Sequence, residues 1–299
     1  MDHFFKGMWG LSGNGPGQFN GPSGIAVDSI GDIYVVENGN HRIQKFTKRG
    51  TFLGILGSYG TGDGQFFSPT GIAVDSNDDI YVVDYLNDRI QKFSSTGNFI
   101  RKWGSSGTGN GEFKGPTGIA TESDDDILVT DTYNDRIQKF TSDGEFIRKW
   151  GSTGTGNGQF DGPLSIAVDS DDDIYVTEFL NHRVQKFNLD GDFITKWGSY
   201  GHSEGQFNRP YEIETFSGNS LLVVDSINFR IQEFSRDGDF ITKWGTLGTE
   251  PGQFRYPWGV AIDKSSGMHY ITDFYNYRVQ RFHWEPKVVV SPFPDRAHT

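Results

Sequence analysis

The sequence predicts an all-β protein, a six-bladed β-propeller with four antiparallel strands per blade, and three observations carry that prediction. First, proline recurs at Pro22, Pro69, Pro116, Pro163, Pro210 and Pro257, always 47 residues apart. Second, each proline opens a series of short apolar runs parted by turn residues. In the copy at 69–93, PTGIAVDSNDDIYVVDYLNDRIQKF, the runs GIAV, IYVV and RIQKF are separated by SNDD and YLND. A fourth run, FIRKW at 99–103, follows the turn SSTG. Third, no segment sustains the helical period. We name the four strands of each copy a, b, c and d in chain order.

Taken in order, the chain begins with a d strand at 4–9, because the aromatic that marks d stands at Trp9, Trp103, Trp150, Trp197 and Trp244, with Leu56 in the remaining copy. Five complete a–b–c–d units follow, and the sixth copy supplies a, b and c. The strand-c arginine keeps the period at Arg42, Arg89, Arg136, Arg183 and Arg230 and arrives one residue late at Arg278, the extra residue lying near KSSGM in the sixth a–b turn. The N-terminal strand is therefore expected to pair with the last c strand and close the ring. A lone meander with two apolar faces cannot bury both, whereas a closed ring packs each sheet between neighbours. The reading gives one domain over 1–284 and a tail over 285–299. The tail's PKVVV is a rival for the closing position, but it lacks the match that Phe5 and Trp9 make to the repeat.

The strings GIAVD, DIYVV, NxRIQKF and FIxKWG resemble the NHL repeat, and the resemblance covers roughly residues 4–284. It implies the propeller. It leaves function open, since the family spans RNA binders, protein-interaction modules, sensor domains and a peptide-amidating lyase. That lyase directs several histidines at one metal inside the propeller, and no strand-a histidine here matches them.

Of 25 Phe, 18 fall at three repeat positions, before strand a, within c and at the start of d, so they are packing residues rather than a site. The absence of cysteine excludes disulfides and thiolate metal sites. No basic and apolar leader opens the chain and no apolar run reaches membrane-spanning length, so a soluble, monomeric protein without a signal peptide is expected. The net charge of −12 disfavours nucleic acid and anionic membranes as partners. Much of that charge lies in the a–b turns, which hold 14 acids, for example DSNDD at 75–79 and ESDDD at 122–126. These turns read as solvated hairpins that lack the later ligands of a calcium loop. The opposite face, built from b–c turns and d–a connectors, is far less acidic.

An acid ends each b strand, at Glu37, Asp84, Asp131, Glu178, Asp225 and Asp273, five residues before its arginine, as a structural ion pair would require. His41 and His182 share the NHR position but lie in opposite blades, too far apart for one zinc. No cofactor is expected.

Function is expected where the copies diverge. Aromatics that the repeat does not require include Tyr85, Tyr133, Phe179, Tyr211, Phe229, Tyr256, Trp258, Phe274, Tyr275 and Tyr277, five of them in blade six. Arg209 and Arg255 stand beside Tyr211 and Tyr256. Blade five reads EIETF at 212–216 where others read GIAVD, so Glu212 and Glu214 point to one side of the innermost strand as channel candidates. This pattern suggests a non-enzymatic scaffold that binds a peptide or protein on the b–c/d–a face, with aromatic and arginine anchors. Single-stranded RNA on the same face is an alternative. A metal-dependent lyase or lactonase is another, with Glu212 and Glu214 as its sole off-pattern ligands.

Overall fold

The computed structural model describes residues 2–216 and 220–285, which form six four-stranded antiparallel sheets. Blade one runs through Pro22–Val27, Ile33–Glu37, Arg42–Phe46 and Phe52–Leu56. Blades two to five repeat it from their a strands, Pro69–Val74, Pro116–Thr121, Pro163–Val168 and Pro210–Phe216. Blade six takes a, b and c from Pro257–Asp263, Met268–Asp273 and Arg278–Glu285. Its d strand is Asp2–Trp9, which pairs antiparallel with Arg278–Glu285, Phe5 opposite Phe282 and Trp9 opposite Val279. The ring thus closes through the N-terminal strand, as the d-strand aromatic foretells. The tail's PKVVV lies outside the described residues.

The six a strands stand side by side around the axis. Between the blades, Phe19, Phe66, Phe113, Phe160, Phe207 and Phe254 are fully buried. Phe19 leans on Phe46 at 5.6 Å between ring centroids, and Trp9 reaches the same Phe46 from the neighbouring blade at 5.7 Å. The glycine after each d-strand aromatic follows from this packing. At Gly10 φ is +108°, and a Cβ there would sit 2.5 Å from the Phe19 ring.

The carboxylate at the end of strand b is fully buried in every blade and pairs with the strand-c arginine. Blade two shows the arrangement. Arg89 Nε donates to Asp84 at 2.7 Å, while its two terminal nitrogens donate to the carbonyls of Thr61, Gly62 and Gln65 in the incoming connector at 2.7–2.8 Å. Asp84 also accepts from Asn87 and from the Phe67 backbone N–H. Gln91 bonds Asp84 and the Gln65 carbonyl. The motif NxRxQ therefore ties the b–c turn, strand c and the d–a connector to one carboxylate.

The a–b turns correct the expectation of solvated hairpins. Their first acids, Asp28, Asp75, Glu122 and Asp169, are buried. Asp75 accepts from the Asn77 and Asp79 backbone N–H groups and from the Tyr81 hydroxyl, and Lys139 pairs with Glu122 at 2.5 Å. Turns are also linked around the ring, since Ser29, Ser76 and Ser123 donate to Asp78, Asp125 and Asp172 of the next blade at 2.6–2.7 Å. Asp28, Asp75 and Asp169 each cap their own turn while reaching a strand-b tyrosine, whereas the longer Glu122 is held by Lys139.

At the closing seam Glu233 takes the place of the usual strand-c lysine and accepts from His3 at 2.9 Å, with His3 stacked on Trp244 at 3.7 Å. Beside them His269 is fully buried, and burial lowers its pKa to about 3, keeping it neutral.

Removing one partner of a buried ion pair leaves the other charge uncompensated. Arg136→Met is expected to destabilise the fold by about 3–5 kcal/mol in chemical denaturation, with Asp131→Asn added to it restoring part of the loss. Equal midpoints for wild type and Arg136→Met would show that the pair does not hold the blade.

Candidate functional site

Along each a strand the second, third and fifth residues form rings around the axis, and these rings define the channel. The second residues, at the b–c/d–a end, are Ser23, Thr70, Thr117, Leu164, Tyr211 and Trp258. They grow around the ring, so blades five and six crowd the mouth. Behind Tyr211 and Trp258 a space of about 20 Å³, bordered also by Thr117, Ser165 and Glu212, is what remains. The third residues are Gly24, Gly71, Gly118, Ser165, Glu212 and Gly259. Glycine suits this neck, because a Cβ at Gly71 would lie 2.4 Å from the Thr117 carbonyl oxygen of the next blade. The fifth residues are alanines, except Glu214 in blade five. Below the neck the channel widens to about 440 Å³ and opens between the a–b turns.

Glu212 and Glu214 both border this cavity, on the same side of their strand, as period two requires. One Glu212 oxygen accepts from the Ser165 hydroxyl at 3.0 Å. Enclosure by the surrounding strands, helped by the charge of Glu214, pushes the Glu212 pKa up to about 8. Burial raises Glu214 too, against the pull of Lys264 and of the Thr215 N–H.

The structure brings together most of the aromatics singled out by their divergence. Arg209 lies over Phe179 at 4.6 Å, and Phe179 meets Tyr211 edge-on at 5.5 Å. Tyr211 contacts Trp258 at 4.7 Å and bonds the Tyr256 hydroxyl at 2.6 Å. Trp258 stacks on Phe274 at 5.2 Å, and Phe274 meets Tyr275 at 4.9 Å. Burial raises the pKa of both bonded phenols, so they remain hydroxyls. The array is rigid and half-buried, with Tyr275 as its exposed end. Phe229 and Tyr277 stand apart, each at the left-handed end of a b–c turn, and Tyr277 packs on the core between blades six and one. Arg255 is exposed and makes no side-chain ion pair with described residues. Tyr85 and Tyr133 form a separate pair, hydroxyl to hydroxyl at 3.0 Å.

Three features go beyond what a search for off-pattern rings finds. The residue before each proline has positive φ and is glycine in blades one, three and four, but Arg209 and Tyr256 take this conformation in blades five and six, with φ of 58° and 69°. Bulky residues are strained there. Next, the N–H of that residue is latched by the preceding b–c turn, through His41 to Ser68, Asp88 to Gly115, Asp135 to Gly162 and His182 to Arg209 at 2.8–3.0 Å. Burial lowers both histidines and favours the neutral acceptor. Where Phe229 and Tyr277 occupy the latch position, no such bond to Tyr256 or Gly21 forms among the described residues. Finally, the second residue of the b–c turn is exposed and apolar at Leu86 (49%), Tyr133 (60%), Leu180 (50%) and Tyr275 (50%), whereas blade one has Gly39. Aligning the six turns marks the residues concerned: glycine or its replacement before proline, His, Asp or an aromatic before the strand-c arginine, and the apolar second turn residue.

A family model described as NHL repeat matches residues 19–46, 66–93 and 254–282, and one described as a 6-bladed beta-propeller matches 117–197. The chain is an NHL-repeat β-propeller. It is 58% identical over 36 residues to the B-box type zinc finger protein ncl-1 of Caenorhabditis elegans, covering 12% of this chain and 4% of that protein. It is 47% identical over 47 residues to the human E3 ubiquitin-protein ligase TRIM32, covering 16% of this chain and 7% of the relative. The match thus spans less than a tenth of either relative. Among solved structures it is similar to a streptogramin B lyase, with a TM-score of 0.65, 17% identity and coverage of 95% and 98% of the two chains, a likeness of fold alone. Among the described residues no group of three or more His, Cys, Asp or Glu is arranged to hold a metal ion.

The raised Glu212 carboxyl has a consequence for stability. Its folded value of about 8 exceeds the ordinary 4.5, so the folded state holds more protons between these values. The contribution of Glu212 is full below pH 4.5 and is lost as the pH rises through 8. Urea midpoints measured from pH 5 to 9 should fall more steeply for wild type than for Glu212→Gln. Parallel profiles would place the Glu212 carboxylate in an unperturbed environment.

Proposed function

We propose that this NHL-repeat propeller is a binding scaffold that docks a peptide or protein on the b–c/d–a face of blades four to six, with Arg209, Tyr211, Arg255, Tyr256, Trp258, Phe274 and Tyr275 as its anchors. The observation that carries the reading is the contiguous aromatic array, mounted on strained left-handed residues and bordered by exposed Leu180 and Tyr275. Rings held rigid before contact lose little entropy on binding, and exposed apolar groups beside them gain by being covered. Packing alone gives no reason for Arg209 to occupy a glycine conformation, since glycine fills it in three blades.

A peptide fits this surface better than single-stranded RNA does. Arg209 is engaged over Phe179, and the strand-c guanidiniums are buried in their ion pairs, which leaves few cations for phosphates. The resemblance to a lyase structure concerns the fold, and two channel carboxylates are too few ligands for metal-assisted chemistry.

Selection of a random displayed-peptide library on the purified protein tests the proposal. Selected peptides should bind wild type and lose about tenfold or more in affinity to Tyr275→Ala and to Arg255→Ala, two surface changes that leave the core intact. Full retention of binding by both variants, or a low-salt gel shift with oligo(U) that these variants abolish in the absence of any selected peptide, would overturn it.

A further inference from the structure

We infer that the wide end of the channel is a second binding site, separate from the aromatic face, for a small organic ammonium with an apolar body. The cavity of about 440 Å³ falls within the size range of small-molecule sites. At the level of Glu214 its wall is lined by the Ala26, Ala73, Ala120, Ala167 and Ala261 ring and the isoleucines beside it, and toward the opening by Asp28, Asp75, Asp78 and Asp263 of the a–b turns. Blade five alone breaks that wall, with the carboxylates of Glu212 and Glu214.

The rim acids already have partners. Asp28 pairs with Lys45 at 3.0 Å, Asp75 accepts from Tyr81, Asp78 from Ser29, and Asp263 from Ser265 and Ser266. Glu212 and Glu214 differ. Glu212 has one side-chain bond, to Ser165, and Glu214 meets the Thr215 backbone N–H but no side-chain hydrogen-bond or ion-pair partner within 4 Å among the described residues. Both stand where the other blades manage with glycine or serine and alanine, so neither is needed for the fold. Burial raises the pKa of both, Glu212 against the Ser165 hydroxyl bond and Glu214 against the more distant charge of Lys264, so neither carboxylate is matched by a cation in contact with it.

The chemistry of the cavity selects the ligand. Hard divalent cations take six or more oxygen ligands, the alanine and isoleucine side chains add none to the two glutamates, and among the described residues no group of three or more His, Cys, Asp or Glu is arranged to hold a metal ion. An alkyl- or arylalkylammonium brings up to three N–H donors to the two carboxylates and hydrocarbon to the wall. The ring of acidic turns around the opening draws cations toward it. Exposed Lys264 at the mouth acts in the opposite sense.

The test is titration of the full chain with benzylammonium and hexylammonium chloride at pH 8.5, followed by calorimetry and ligand-observed NMR, with benzyl alcohol as the uncharged match. Saturable binding at one site is expected for the amines and not for the alcohol. Glu214→Gln should weaken it by about tenfold or more and Glu212→Gln/Glu214→Gln should abolish it. Lys264→Gln should tighten it, and Tyr275→Ala should leave it unchanged, which separates this site from the proposed peptide face. The variants are isosteric or exposed, and circular dichroism confirms their fold. No saturation by either amine up to 10 mM, equal affinity in the double variant, or displacement of the amine by millimolar calcium with the same dependence on the two glutamates would each overturn the inference.

Discussion

A carboxylate buried at the end of each b strand is the constraint on which the blades depend. Desolvating it is costly unless its oxygens are fully engaged, and the strand-c arginine cannot do so alone. The solution in each blade recruits an asparagine, a glutamine and a connector N–H to the carboxylate, while the guanidinium gathers connector carbonyls. One charge therefore sets the conformation of two loops that have no regular structure of their own. This explains why DxxNxRxQ, or its Glu counterpart, recurs in all six copies while the turn residues between them vary. It also explains why six acids around an axis do not make a cation site.

The loops freed from packing duty form the b–c/d–a face, and there the blades differ from one another. Around the mouth the side chains grow from Ser23 to Trp258, so the ring is sixfold in backbone and lopsided in chemistry. Tyr211 and Trp258 narrow the channel at this end, and the wide chamber opens at the other. The molecule thus offers two unlike surfaces on one rigid frame: an aromatic crescent outside and a cavity with two carboxylates inside. Both are centred on blade five and its junction with blade six. At that junction the His or Asp latch is missing and positive φ is imposed on bulky residues.

The fold was legible because a 47-residue period repeats both apolar runs and turn chemistry, and because Trp9 places the first strand in the last blade. The ion pairs were legible from the five-residue offset between acid and arginine. The channel position of Glu212 and Glu214 followed from period two. Other features depend on contacts between blades and leave weaker traces. His41 and His182 look like ligands, yet they accept a hydrogen bond from the next blade exactly as Asp88 and Asp135 do. The a–b acids look solvated, yet each first acid is buried by its own turn and by a strand-b tyrosine or a strand-c lysine. Phe229 and Tyr277 look like anchors beside Trp258, but Tyr277 packs on the core between blades six and one, and neither has a ring contact with the array among the described residues. Leu86 and Leu180 carry no mark except their place in the turn.

The central claim is that blades four to six depart from the repeat at the expense of stability and for the sake of binding. Replacing three departures with the residues that other blades carry, Arg209→Gly, Glu212→Gly and Glu214→Ala, removes a strained arginine and two enclosed carboxylates without touching the aromatic core. Thermal unfolding of this triple variant beside wild type at pH 8 is the most direct measurement. The account predicts a higher midpoint, corresponding to a gain of about 1–2 kcal/mol. A lower midpoint would contradict it, because these residues would then be structural members of the ring.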